Sequence, residues 1–273
     1  MKIFYILLVF VTLTSCSTVK FKEIEMDVIQ ELKGNIKEIR WKTLYFNTKF
    51  KDSVRRQEDI LVVYDKKYNT LKQIVFHPKG NIEEIYNYNS RGLLENIIAK
   101  YTKSISKAEY KYDKKNNIVQ YNHYENDTLI SSKLTKYDNK NNPIERKLIN
   151  FKSPKNNWSE KILNDYKSRT SISQGFDEKN IESNSFIKTT YDKKGFIIQS
   201  ESLNKNNKSK SKSISEYDSY GNLTIFKSYN ENGEVKSIRT AKNLYDKKGN
   251  IILRETFIDN KLFRRTTLEI VYY

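Results

Sequence analysis

Few residues in this chain could do chemistry beyond its carboxylates and hydroxyls. There are two histidines and one cysteine in 273 residues. A Ser-His-Asp triad would need His77 or His123 as its base. His77 heads the run His77-Pro78-Lys79-Gly80, which has the form of a turn. His123 lies in Tyr121-Asn122-His123-Tyr124 and reads as a lateral packing position on a Tyr-rich strand. Cys16 and two scattered imidazoles do not make a zinc site. No Gly-rich phosphate loop is present. Glu83-Glu84 are neighbours on one strand and would point to opposite faces, a poor acid–base pair. The expectation is no catalytic residue, no metal and no cofactor. A glycan hydrolase stands as the alternative, because its carboxylates are recognised by spatial separation and not by motif.

The residues that do recur are Tyr-Asp pairs. They stand at Tyr64-Asp65, Tyr112-Asp113, Tyr137-Asp138, Tyr191-Asp192, Tyr217-Asp218 and Tyr245-Asp246. The fullest copy continues Lys247-Lys248-Gly249-Asn250-Ile251-Ile252. Degenerate copies begin at Phe76, Tyr88, Tyr124, Phe176 and Tyr229, giving steps of roughly twelve residues. An Asp opening a turn can accept from the backbone amide two residues on. Gly195, Gly221 and Gly249 supply the positive φ of a bulged hairpin, and Asn116 and Asn141 stand in for Gly. β-Branched and aromatic runs between such turns mean consecutive antiparallel strands. The fold expected is all-β: one elongated, curled meander of repeated hairpins over residues 32–273. Two stacked sheets broken near residues 150–185 are the alternative. The run Lys205 to Lys212 is expected to be an extended hairpin loop, and Leu32 to Ile36 the first Gly-Asn-Ile turn.

The formal net charge is +17, with Tyr unusually common at 20 residues. A positive field draws anionic partners. The competing reading is compositional, with lysines covering exposed strands. Likewise the tyrosines serve either to stack on sugar faces or as the half-buried material of a single curved sheet.

The amino terminus reads as an address. Met1-Lys2 precede an apolar run from Ile3 to Leu13, too short to span a bilayer but right for a signal peptide. Leu13-Thr14-Ser15-Cys16 resembles the lipobox of bacterial lipoproteins. The resemblance implies cleavage before Cys16 and lipid on its thiol and new amino group, a durable membrane anchor. The organisation expected is a signal peptide over 1–15, lipidated Cys16 with a linker or short element over 16–31, then the repeat domain. Ser17 in place of the Asp typical of inner-membrane retention favours the outer membrane, on its periplasmic face.

The Tyr-Asp units resemble the YD repeats of the Rhs family of bacterial surface and toxin-delivery proteins, over roughly residues 32–273. That resemblance implies an antiparallel, curled sheet and carbohydrate contact. The chain is far shorter than the toxin-enclosing shells of that family, and carries no toxin domain after the repeats. It is more similar to small lipid-anchored proteins with degenerate repeats. The function expected is non-catalytic: an envelope lipoprotein presenting a basic, Tyr-rich sheet to an anionic glycan or a protein partner, with no nucleic acid expected for an exported chain. An accessory or immunity-like partner of an Rhs-type protein is a further alternative.

Overall fold

The computed structural model describes residues 32–47 and 53–273. The signal peptide, Cys16 and the linker over 16–31 lie outside the described residues. The rest is strand and turn. In chain order the strands are β1 Ile36–Phe46, β2 Val54–Tyr64, β3 Thr70–Phe76, β4 Ile82–Tyr88, β5 Leu94–Lys100, β6 Ile105–Tyr112, β7 Ile118–Glu125, β8 Thr128–Tyr137 and β9 Pro143–Asn150. They continue as β10 Trp158–Asp165, β11 Thr170–Phe176, β12 Glu182–Tyr191, β13 Ile197–Asn204, β14 Ser209–Tyr217, β15 Leu223–Tyr229, β16 Val235–Tyr245, β17 Ile251–Ile258 and β18 Lys261–Tyr272.

Each strand pairs antiparallel with the next. β18 then pairs with β1, Leu268 opposite Trp41 and Thr266 opposite Thr43, so the sheet closes into an 18-stranded up-and-down barrel. The meander expected from the repeats is present, but it has no free edge. The strongest reason to close is that an open edge leaves a row of unpaired backbone groups. Nor does the sheet break near 150–185. β9 and β10 stay paired from Trp158–Leu148 to Lys161–Glu145, across a short 3-10 turn at Pro154–Asn156. The Lys205 stretch is no extended loop: Asn204 Oδ1 accepts from Asn206 and Lys208 N–H and folds it into a tight turn.

The seam is made by the repeat itself. At the Asp246 turn the Asp246 N–H donates to Asn250 O at 2.8 Å; at the seam Tyr273 N–H donates to Asn35 O at 2.8 Å. Tyr272-Tyr273 and Gly34-Asn35-Ile36 are thus the two halves of one more turn, split between the ends of the described chain. Ile36, Ile39, Ile251 and Leu268 form the buried apolar cluster behind it.

Strand residues alternate between two faces. Ile39, Thr43, Val62, Leu268, Thr266 and Arg254 fall on one face by register and are all buried. Side chains on a concave wall converge, so this face lines the lumen. The other face carries charge on nearly every strand, much of it paired across the ladder. Lys42 meets Glu269 at 2.6 Å, Lys136 meets Glu145 at 2.8 Å and Arg265 meets Glu255 at 2.6 Å. A barrel that spans a bilayer needs an apolar outward band. Among the described strands this barrel carries charged pairs on its outward face. Eighteen strands enclose more space than their own side chains fill. Inward-facing Ile187 on β12 is 47% exposed, so the lumen is open to solvent there.

Candidate functional site

The Tyr-Asp units build one rim. In all six, Asp Oδ1 accepts two backbone N–H bonds, from the residues two and four positions on. Asp113 takes Lys115 at 2.8 Å and Asn117 at 2.9 Å; Asp218 takes Tyr220 at 3.0 Å and Asn222 at 2.9 Å. The second of these bonds closes the five-residue turn together with a backbone bond from the Asp N–H to the carbonyl four residues on. The third residue after Asp has positive φ every time: Gly195 +85°, Gly221 +85°, Gly249 +83°, Asn116 and Asn141 +64°, and Tyr68 +67°. Tyr68 is a non-Gly residue that no turn rule selects.

Up-and-down connectivity sends alternate turns to opposite ends. The six full motifs and Tyr88 all fall at one end, with the seam. The copies at Phe76, Tyr124, Phe176 and Tyr229 all fall at the other. The unit that repeats is therefore a hairpin pair, and the twelve-residue step counts its two halves. His77 belongs to the far end, where its Nδ1 accepts Lys79 N–H at 3.1 Å in place of an Asp oxygen.

The motif tyrosines latch each hairpin to the one before. The ladder slips by one residue at each of them, for example between Leu244 and Tyr245, and such a bulge re-aims the side chain along the rim. Tyr112 donates to Leu94 O at 2.7 Å, Tyr137 to Ile118 O at 3.0 Å and Tyr217 to Ile197 O at 2.7 Å. Tyr245, Tyr272 and Tyr166 reach further and donate to the carboxylates of Asp218, Asp246 and Asp138. Tyr191 instead pairs with Ser171 Oγ at 3.1 Å. Burial works against the Asp218 charge, but the Tyr245 hydroxyl and the turn amides outweigh it and hold the carboxyl below its ordinary range. Burial and then Asp218 push the Tyr245 hydroxyl up to about 12. Asp218→Ala is expected to cost about 2–4 kcal/mol, because it orphans two amides, the Asn243 amide and a phenol together, whereas Tyr245→Phe should cost about 1. Urea titration of both and of the double variant checks this; additive costs would mean the two residues do not form one latch.

The lumen wall is polar and sorted into sectors. Ser200, Ser202, Ser211, Ser213, Ser228 and Ser237 line a recess of about 420 Å³ with Ile187 and Tyr229. Another sector is aromatic: Tyr110 and Tyr121 pack edge-on at 5.4 Å, and Tyr86 donates to Glu84. Between them Arg146 pairs with Glu160 at 2.7 Å, both half-buried. Arg239, Arg254 and Arg264 surround a small cavity with Thr256 and Phe226, and Arg254 donates to Leu223 O at 3.0 Å.

His123 also faces the lumen, 2.9 Å from Ser106 Oγ, the one hydrogen bond its ring makes among the described residues. A nucleophile–base pair needs a third group to orient the base, and none joins it there. Glu83 and Glu84 do point apart, Glu83 to Lys72 outside and Glu84 to Tyr86 and Gln73 inside. Among the described residues no cluster of His, Cys, Asp and Glu could hold a metal.

Fold and site together define a closed, polar-lined β-barrel with one latched rim. No family model matches the chain, and no curated protein is similar to it. Among the solved structures similar in shape are the following three. A porin-like protein from Bacteroides uniformis has a TM-score of 0.46 at 9% identity, over 86% of this chain and 96% of that one. A porin-like protein from Bacteroides vulgatus scores 0.30 at 10% identity, over 88% and 99%. A TcdB2-TccC3-Cdc42 structure scores 0.22 at 9% identity over 76% of this chain, which spans only 15% of that one.

Proposed function

We propose that this chain is a non-catalytic envelope lipoprotein, tethered through Cys16 to the periplasmic face of the outer membrane, whose lumen receives an extended anionic glycan. The observation that carries the reading is the barrel wall itself. Its inner surface offers serine hydroxyls, tyrosine rings and, lining the recess of about 420 Å³, Lys212 and Lys236. Sugars are bound by these groups: rings stack on pyranose faces, hydroxyls exchange hydrogen bonds, and ammonium groups attract carboxylate or sulfate. The YD-type turns support the same reading through the family they resemble.

Co-sedimentation of the processed chain with wall and outer-membrane glycan fractions tests it. Saturable binding is expected, weakening as salt rises. Tyr110→Ala with Tyr121→Ala should lower affinity about tenfold without opening the barrel. If those two substitutions leave binding unchanged, the lumen is not the site. The tether is tested separately. Cys16→Ala should abolish incorporation of labelled fatty acid and leave unprocessed precursor, and normal labelling would remove the lipoprotein reading.

A further inference from the structure

The two rims differ in charge as well as in motif. On the latched rim Lys66-Lys67, Lys114-Lys115, Lys193-Lys194 and Lys247-Lys248 occupy the two positions after the motif Asp, and all eight are exposed. Their neighbouring carboxylates are folded back, each with an oxygen held by the turn amides. Among the described residues none of these lysines joins a carboxylate in an ion pair; Lys66 and Lys248 lie over the rings of Tyr273 and Tyr272 instead. Exposed aromatics stand among them, with Tyr68 46%, Tyr220 45% and Tyr273 52% accessible. The far rim is mixed. There Asp177, Glu178, Glu231, Glu234 and Asp259 are exposed between lysines.

The chain enters on the basic rim. Lys33 N–H donates to Asn250 Oδ1 at 2.6 Å, so Leu32 leaves the barrel beside the Asp246 turn. A tether from Cys16 to Leu32 reaches about 55 Å at most, and it pulls this rim, not the far one, toward the membrane.

We infer that the latched rim is a docking surface for anionic lipid headgroups, which stands the barrel upright on its own leaflet. Lysines at a leaflet surface gain from its negative potential, and tyrosines at the same level suit the headgroup layer. The direction of approach rests on the Cys16 tether; the binding chemistry does not.

The test therefore uses residues 16–273 made directly without the signal peptide and carrying Cys16→Ser, which have no acyl group. It is mixed with vesicles of phosphatidylcholine alone and of phosphatidylcholine with about one third phosphatidylglycerol, at low and high salt. Sedimentation only with the anionic vesicles is expected, lost at high salt. Reversing Lys66, Lys67, Lys114, Lys115, Lys193 and Lys194 to Glu should lower binding at least tenfold. Reversing six far-rim lysines (Lys79, Lys103, Lys152, Lys155, Lys205 and Lys208) should change it less than twofold. These are exposed turn and loop positions, and an unchanged far-ultraviolet spectrum shows that either variant has kept its sheet. Equal loss from both rims, equal binding to neutral vesicles, or no binding to either vesicle overturns the inference. Binding to a soluble acidic glycan, with none to vesicles, overturns it too, while leaving the lumen reading untouched.

Discussion

Raising the pH from 10 to 12 is expected to unfold the barrel in one cooperative step. Tyrosine is the commonest interior and rim aromatic, and burial pushes its hydroxyl up wherever the ring is enclosed. Tyr110 rises to about 12 through burial beside Tyr121; Tyr217 rises to about 12 through burial under its neighbours. Tyr166 and Tyr245 rise to about 12 through burial and then the carboxylates they donate to. Tyr86, Tyr64, Tyr191 and Tyr272 shift the same way, burial first in each case. A group whose folded pKa is raised gives stability that is complete below its unfolded value, near 10. That stability is lost as pH climbs through the folded value. Discounting for partial exposure, each of the four at about 12 contributes about 1 kcal/mol. Together they approach the net stability of an ordinary domain, about 5–15 kcal/mol. Tyrosinate absorbance and the sheet signal in circular dichroism should therefore change together, late and steeply. Phenols titrating smoothly around pH 10, with the sheet intact to 12, would show that the latches bear no load.

Gly221→Val should be the most damaging single substitution in the turns. Gly221 sits at φ +85°, where a β-branched side chain is strained. An added Cβ would also stand 2.7 Å from Phe196 Cζ. That ring cannot step aside: Phe196 is 4% exposed and stacks on Tyr217 at 5.0 Å. Strain and overpacking together should cost about 3 kcal/mol or more, a fall in Tm of roughly 6–12 °C for a domain of this size. Gly233→Val separates the two causes. Its φ is +80°, but an added Cβ meets nothing within 4 Å, so only the backbone strain is expected there. Equal losses in the two variants would mean that the Phe196 contact is immaterial. Gly249→Val should fall between them, with Tyr220 at 3.1 Å.

What was legible in the sequence was local chemistry. Asp at a turn's first position, Gly or Asn at its fourth and apolar alternation between turns act within about five residues. They describe five of the six full copies; the Tyr64-Asp65 turn carries Tyr68 at its fourth position, and at the far end His77 stands in for an Asp. The all-β meander followed from them, because hairpins joined by short turns can only pair with their neighbours.

Closure was decided elsewhere. Whether β18 meets β1 depends on stagger and tilt summed over all eighteen strands, and no single window carries that sum. The same summation sends alternate turns to opposite ends. It made a twelve-residue period into two kinds of turn, and lysine pairs spread along the chain into a collar on one rim. The tyrosines were readable as half-buried, but not as latches, because their acceptors lie on the preceding hairpin, 18 to 28 residues away. Nor could alternation alone say which face was inner. That followed once closure curved the wall and crowded Ile39, Thr43 and Arg254 on the concave side, leaving Lys42 and Glu269 to pair on the outward face.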